Sequence, residues 1–370
     1  MIRVLHIYNV MNRGGAETMI MNVYRNIDRE KIQFDFLCMS DKTGDYDNEI
    51  LELGGRIFRI SPPAESGYIR HIKDIIKILK EKGPYKVIHA PTMFHSGILC
   101  LVGYISGVPI RIAHSHSSGI NDNDLIRKIY NMICRQLIRI FATDKIACGI
   151  NARDFLFGKS KKTEKEVLIL NNGIDLDQYY NVKKEEIMEL KKELKIQDEF
   201  IIGNVGRFAQ VKNQDFFISL AENFRKKNDN FKIILVGDGE LRETIEKKIK
   251  EKQLGKYFIL TGKRDDIYKI MNLMDIFVMP SLYEGFPMVI IEALASGKNC
   301  VVSDKIPREI EIVNGSISFM SLEDNIQSWI NEIEIKAKQH VNKEERKNIL
   351  KEKGFSILDT TKILEKIYLR

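Results

Sequence analysis

Apolar and polar positions along this chain follow two rhythms. Short runs rich in β-branched and aromatic residues at 2–8, 32–39, 56–60, 86–90, 110–114, 145–149 and 167–170 are separated by stretches with apolar residues three and four positions apart. Ile20, Val23, Tyr24 and Ile27 form one such stripe, and Ile69, Ile72, Ile76 and Leu79 another. Strands alternating with helices predict an α/β fold with a doubly wound parallel sheet, in which ligands bind where the strand C-termini open into loops. A second series at 200–205, 231–236, 257–261, 275–279 and 299–303 predicts a second Rossmann-like domain. Between the two series, N-N-G-I-D-L-D-Q at 171–178 is dense in turn formers and a charged helical stretch follows at 183–195, so the boundary is expected between 1–176 and 177–354. Beyond 303 the pattern reads as helical to the end, where Ile357, Thr361, Ile363, Leu364 and Ile367 in 355–370 could cover a core.

At 370 residues, with 44% apolar and 29% charged positions, the chain has an ordinary folded balance and the length of two domains. A formal charge of +7 suits phosphorylated ligands, an anionic membrane surface or nucleic acid. No interleaved basic and aromatic motif of the RNA-binding kind accompanies it, so nucleic acid is not an expected partner. Five scattered cysteines without a C-x-x-C pair read as buried reduced thiols. The chain opens directly on a strand pattern and its apolar runs are too short to span a bilayer, which leads us to expect a cytoplasmic protein.

Candidate chemistry concentrates in 280–297, P-S-L-Y-E-G-F-P-M-V-I-I-E-A-L-A-S-G. Glu284 falls in a loop that Gly285 and Pro287 shape into a turn and a helix start, and Glu292 follows one to two turns into that helix. Two carboxylates beside a helix N-terminus suit a polyhydroxylated anion: the carboxylates accept hydroxyl protons, and free N–H groups face the negative charge. In G-R-F-A-Q-V-K-N, Arg207 and Lys212 follow a strand end, where two cations can neutralise a diphosphate and stabilise it as a leaving group; ordinary surface charge is the other reading. Gly14 and Gly15 in N-R-G-G-A-E precede a helix, as a phosphate loop or as a simple tight turn. L-V-G-D-G-E-L marks a tight connection at Gly237 and Gly239.

Taken in order, G-G-A-E, N-G-I-D, G-R-x4-K, L-V-G-D-G-E-L and E-G-F-P-M-V-I-I-E-A-L-A-S-G closely resemble the retaining glycosyltransferases of family 4, which have the GT-B fold. The segment I-A-H-S-H at 112–116 resembles the bacterial capsule and exopolysaccharide branch. The resemblance implies two Rossmann-like domains facing across a cleft, an acceptor-side N-terminal domain to which helix 355–370 returns, and a C-terminal domain that binds the nucleotide sugar. It assigns Glu284 and the backbone around Gly285, Phe286 and Pro287 to donor sugar hydroxyls, Glu292 to the ribose, and Arg207 and Lys212 to the diphosphate. Gly14 and Gly15 are assigned to a phosphate loop, Arg264 to the loop that reads the base, and His114 to the neighbourhood of the reacting carbon.

Several rival readings share these residues. His114 and His116 could be a metal pair, but no nearby sequence completes a ligand set. D-Y-D at 45–47 and D-L-D at 175–177 could hold a divalent cation, yet both lie in polar turns, and neither a metal nor another cofactor is expected. A glycosidase would also use two carboxylates, without a diphosphate to hold. Two basic amphipathic stretches, 68–86 and 125–139, could rest on anionic lipid or be ordinary outer helices. Residues 298–310, K-N-C-V-V-S-D-K-I-P-R-E-I, depart from the family, which has a glycine-rich turn after the second glutamate helix. The expected activity is transfer of a hexose-type sugar from a nucleotide diphosphate sugar, UDP-linked, to a lipid-linked saccharide at the inner face of the membrane. The alternatives are a nucleotide-sugar epimerase of the same fold and a non-catalytic sugar-nucleotide-binding partner of another transferase.

Overall fold

A computed structural model of the protein describes residues 1–117, 119 and 124–370, and it divides into two compact units, Met1–Ile174 with Gly354–Arg370, and Asp175–Lys353. In the first unit β1 (Ile2–Tyr8), β2 (Ile32–Cys38), β3 (Arg56–Arg59), β4 (Val87–Ala90), β5 (Ile110–Ser115), β6 (Asp144–Ala147) and β7 (Val167–Ile169) form one parallel sheet in the order β3-β2-β1-β4-β5-β6-β7. The chain winds outward from β1 to β3, then returns to the far side of β1, so the winding reverses between β1 and β4. Helices cover both faces, which is why β2 is buried along its whole length, including Gln33 and Asp35, the latter paired with Arg3 and Arg56.

The last helix, Ile357–Leu369, belongs to this unit: Ile357, Leu364 and Tyr368 share a core with Tyr24, Phe34 and Phe36. A parallel bridge between Ile174 and Ser356 anchors its entry. Gly173 lies so close to this entry that a Cβ there would stand 2.7 Å from the Ile357 Cα.

The second unit repeats the plan with β8 (Phe200–Val205), β9 (Phe231–Val236), β10 (Phe258–Gly262), β11 (Ile276–Met279), β12 (Cys300–Ser303) and β13 (Ile317–Met320), ordered β10-β9-β8-β11-β12-β13 and all parallel. Its winding reverses between β8 and β11, and Asn204 Nδ2 donates to Val278 O across that seam at 2.8 Å. β13 corrects the expectation that everything past 303 is helical: I-S-F-M is a four-residue edge strand, only its first residue fully buried, and too short to show a period.

The family-departing residues after Gly297 have a packing role. Lys298 Nζ donates to Asn272 O at 2.9 Å, and Asn299 accepts from Arg346 and donates to Lys336 O. The Arg346 bond fastens the helix Lys343–Glu352 to the start of β12, and the other two tie the same segment to the helices Ile267–Leu273 and Ile326–Lys338. Ile306 and Ile310 bury where a glycine-rich turn was expected, and Arg308 lies over the Phe319 ring at 4.0 Å. Cys38, Cys100, Cys134 and Cys300 are buried free thiols, and Cys148 is half-buried.

Candidate active site

In the second unit the loops after β8 and β11 leave the two strands that flank the reversal, so the sheet itself brings them together. The β8 loop runs through Gly206 and Arg207 to a 3-10 turn, Gln210–Lys212, and Asn213 then takes a left-handed conformation with φ 54°. Asn213 Nδ2 donates to Pro280 O at 3.0 Å and Leu282 N donates to Val211 O at 2.8 Å, which ties the two loops directly. The outcome is a 2.6 Å contact between Lys212 Nζ and Glu284 Oε1, with the two side chains 22% and 12% exposed. A cation assigned to phosphate and a carboxylate assigned to sugar hydroxyls are therefore neighbours in three dimensions, although 72 residues separate them.

Arg207 stands on the same loop, 71% exposed, with its guanidinium on Glu240 at 2.9 Å. The close packing of the β8 and β9 loops explains both glycines of L-V-G-D-G-E-L. A Cβ on Gly237 would lie 2.1 Å from Gly206 O, and one on Gly239 would lie 2.4 Å from Phe208 O. Phe208 N and O bond to Asp238 O and Leu241 N across this contact. Gly206 is different: a Cβ there would meet only the Lys212 stem at 3.6 Å or beyond, so packing does not demand a glycine.

Gly285 and Phe286 are half-buried and Pro287 caps the helix Met288–Ala295, whose first turn has N–H groups without intrahelical acceptors. Glu292 lies inside that helix beside Tyr179, which hydrogen-bonds to it. Burial raises its carboxyl pKa from 4.5 to about 7, and the tyrosine offsets part of the shift. Tyr179 comes from the helix Leu176–Tyr180 just past the unit boundary, and its sequence context, dense in turn formers, hid it. Arg264 sits beyond the end of β10, held by Asp266 at 2.7 Å and Glu193 at 2.5 Å, and these carboxylates raise its pKa further.

In the first unit Gly14 is the N-cap of the helix Gly15–Asn26. A side chain on Gly15 would meet nothing within 4 Å, whereas one on Gly14 would strike the Glu17 carboxyl, which folds back over the helix start. Burial raises the Glu17 pKa. Asp45 and Asp47 are absorbed by loop structure: Asp45 accepts from Arg13 N, while Asp47 accepts from Gly44 N and pairs with Arg59. Asp175 caps the helix Leu176–Tyr180 and Asp177 pairs with Lys347.

His114 is buried near the end of β5, and His116 follows it with ring centroids 3.9 Å apart. His6 and His89, which are register partners on β1 and β4, complete a buried group with them, joined by Tyr368 from the last helix. Sequence reasoning passed over His6, His89 and Tyr368. The available signal was a histidine inside an otherwise apolar strand. Among the described residues, no three His, Cys, Asp or Glu side chains are arranged to hold a metal ion.

Two parallel Rossmann-like sheets, with Lys212 paired to Glu284 at the reversal point of the second, have the architecture of the GT-B glycosyltransferases. The comparisons with known proteins agree: residues 13–178 match the model for "Glycosyltransferase Family 4" and residues 185–353 match that for "Glycosyl transferases group 1". EpsF of Bacillus subtilis, named as a glycosyltransferase, is 39% identical over 88% of this chain and 85% of its own. A capsular polysaccharide biosynthesis glycosyltransferase, CapH of Staphylococcus aureus, is 30% identical over 100% of this chain and 99% of its own. A UDP-Gal:alpha-D-GlcNAc-diphosphoundecaprenol alpha-1,3-galactosyltransferase of Escherichia coli is 25% identical over 89% and 86%. The crystal structure of Anabaena Alr3699/HepE in complex with UDP-glucose has the same fold, with TM-score 0.76 over 99% of both chains at 17% identity. This chain belongs to glycosyltransferase family 4 and is a glycosyltransferase.

Proposed function

We propose that this enzyme transfers a hexose-type sugar from a UDP-sugar, with retention, to a lipid-linked saccharide during capsular or exopolysaccharide synthesis. The observation that carries the reading is the Lys212–Glu284 pair at the reversal point of the second sheet, beside the first turn of the helix Met288–Ala295. Lys212 and Arg207 take the diphosphate, whose charge rises as the glycosidic bond loosens, and stabilising that charge is the largest lever available. Glu284 exchanges its bond to Lys212 for donor sugar hydroxyls, aided by N–H groups around Gly285, Phe286 and Pro287. Glu292 accepts from the ribose, Arg264 lies in the base-reading loop, and Gly15, at the helix start that Gly14 caps, offers its backbone N–H to phosphate.

The donor bond opens to an oxocarbenium-like state. The acceptor hydroxyl attacks on the face the diphosphate leaves, and its proton passes to a departing phosphate oxygen. His114 contributes a hydrogen bond to the sugar. No metal ion or other cofactor is needed, since cations and helix N–H groups do the neutralising; turnover unchanged by EDTA is the expected result.

Capsule synthesis and a lipid-linked acceptor are supported by what CapH and the E. coli galactosyltransferase are named for. No helix among the described residues is long and apolar enough to cross a membrane. The helix Leu125–Phe141 nevertheless exposes Leu125, Ile126, Ile129, Met132 and Ile133 beside Arg127 and Lys128. Tyr68 and Ile69, at the start of the helix Tyr68–Lys82, extend the exposed apolar surface, with the Tyr68 and Tyr130 rings 5.8 Å apart. Apolar side chains flanked by cations suit the inner face of an anionic bilayer, where a lipid-linked acceptor would be met.

The test is a panel of UDP-glucose, UDP-galactose, their N-acetylamino forms and GDP-mannose, scored by thermal stabilisation and slow donor hydrolysis. Stabilisation and hydrolysis with a UDP-sugar support the reading; the same response to GDP-mannose alone would move the donor class. Release of an epimerised sugar nucleotide, with no glycan extended, would favour an epimerase.

A further inference from the structure

The buried histidines of the N-terminal unit are wired to the last helix of the chain. His89 Nε2 lies 2.9 Å from His114 Nδ1, and His89 Nδ1 lies 2.7 Å from the Tyr368 hydroxyl. Burial keeps the rings neutral, since the His89 pKa is pushed down to about 3 and that of His114 well below its ordinary value. A neutral imidazole has one donor and one acceptor nitrogen, so the three groups can be polarised in only two ways. In the first, Tyr368 donates to His89 Nδ1, His89 Nε2–H donates to His114 Nδ1, and His114 carries its proton on Nε2. In the second, every bond reverses and the Tyr368 hydroxyl proton has no acceptor, because His89 is its hydrogen-bond partner among the described residues. Tyr368 is fully buried, so that proton would be an unpaired donor away from water. The first polarity also matches chemistry, a phenol being the better donor and an imidazole nitrogen the better acceptor.

We propose that Tyr368 and His89 are positioning residues that hold His114 as its Nε2–H tautomer, so that the ring offers a hydrogen-bond donor to an oxygen of the sugar substrate. The inference rests on the reading that His114 meets the substrate. A separate observation points to a ligand: His114 Nε2 is buried and has no hydrogen-bond partner among the described residues. Such a group normally costs stability, and a sugar oxygen would satisfy it. His114 and His89 also stand toward the C-terminal ends of β5 and β4, the ligand edge of the sheet. The arrangement gives the returning helix a chemical task besides covering the core.

The experiment is long-range 1H–15N correlation of the imidazole nitrogens in labelled full-length protein, wild type and Tyr368→Phe, with UDP-sugar hydrolysis measured on the same samples. Wild type should show His89 and His114 both protonated on Nε2. Tyr368→Phe should show a mixture of tautomers at His114, with kcat lowered about three- to tenfold and donor KM within twofold. Leu364→Ala loosens the same helix without touching the hydroxyl and should keep the wild-type tautomer, which separates wiring from packing. His114 protonated on Nδ1 in wild type, or an unchanged tautomer in Tyr368→Phe, overturns the inference. A shifted tautomer with undiminished turnover would leave the wiring intact and overturn the role of His114 at the substrate.

Discussion

On the proposed reading, the Glu284–Lys212 ion pair is held ready for a ligand. Each neutralises the other at 2.6 Å, and a bound donor would replace one contact with two, phosphate on the lysine and sugar hydroxyls on the glutamate. Lys212→Ala and Glu284→Ala should each lower kcat/KM for donor turnover more than 100-fold, a loss of about 3 kcal/mol in transition-state stabilisation. Both variants should unfold within a few degrees of wild type, because the pair is part-exposed and the loops are tied by backbone bonds instead. Glu292 carries a pH dependence with a defined sign. Its folded pKa of about 7 exceeds the ordinary 4.5, so the native state retains a proton that the unfolded chain has lost. Stability contributed by this group therefore falls as pH rises from 4.5 to 7 and stays low above that. Glu292→Gln should match wild type in unfolding free energy near pH 4.5 and exceed it at pH 8, by up to about 3 kcal/mol. UDP binding by wild type should tighten from pH 6 to pH 8, as the carboxylate proposed to accept ribose hydroxyls forms, whereas Glu292→Gln should bind weakly and without that slope; calorimetry at three pH values checks both.

Among the elements, the helix Leu125–Phe141 is one of two whose sequence left two readings open. Its pattern fitted an ordinary amphipathic helix, but the structure buries only Cys134 and Ile138 fully and leaves an apolar face in solvent. Replacing Ile126 and Ile129 together by Glu should cut sedimentation with phosphatidylglycerol vesicles at least tenfold and leave the circular dichroism spectrum unchanged. Binding to neutral phosphatidylcholine should be weak for both proteins. The strands were far more legible, because a parallel sheet covered on both faces demands continuous apolar runs that few other structures need. β13 escaped since four residues at a sheet edge carry almost no pattern. The loops after β8 and β11 were legible as glycine- and charge-bearing turns, but the meeting of Lys212 with Glu284 comes from the strand order, which no local pattern encodes.

For the molecule as a whole, the two units are separately cored and the chain ends inside the first one. Leu364 is fully buried among residues from β1, β2 and the helix Gly15–Asn26, so Leu364→Ala should cost the N-terminal unit about 2–4 kcal/mol, visible as an early phase in urea unfolding. The histidine group shows the limit of reading by motif: I-A-H-S-H drew attention to His114 and His116, while His6, His89 and Tyr368, from residues 6 to 368, join them only through strand register and the returning helix. Sequence resemblance supplied roles for single residues; the fold supplied their neighbours. The central claim is that the C-terminal unit binds and activates a nucleotide sugar through Lys212 and Glu284. Its most direct test is the rate of UDP release from UDP-sugars by purified wild type and Lys212→Ala. Steady release by wild type, falling at least 100-fold in the variant, is the predicted result. Equal rates in the two proteins would contradict it.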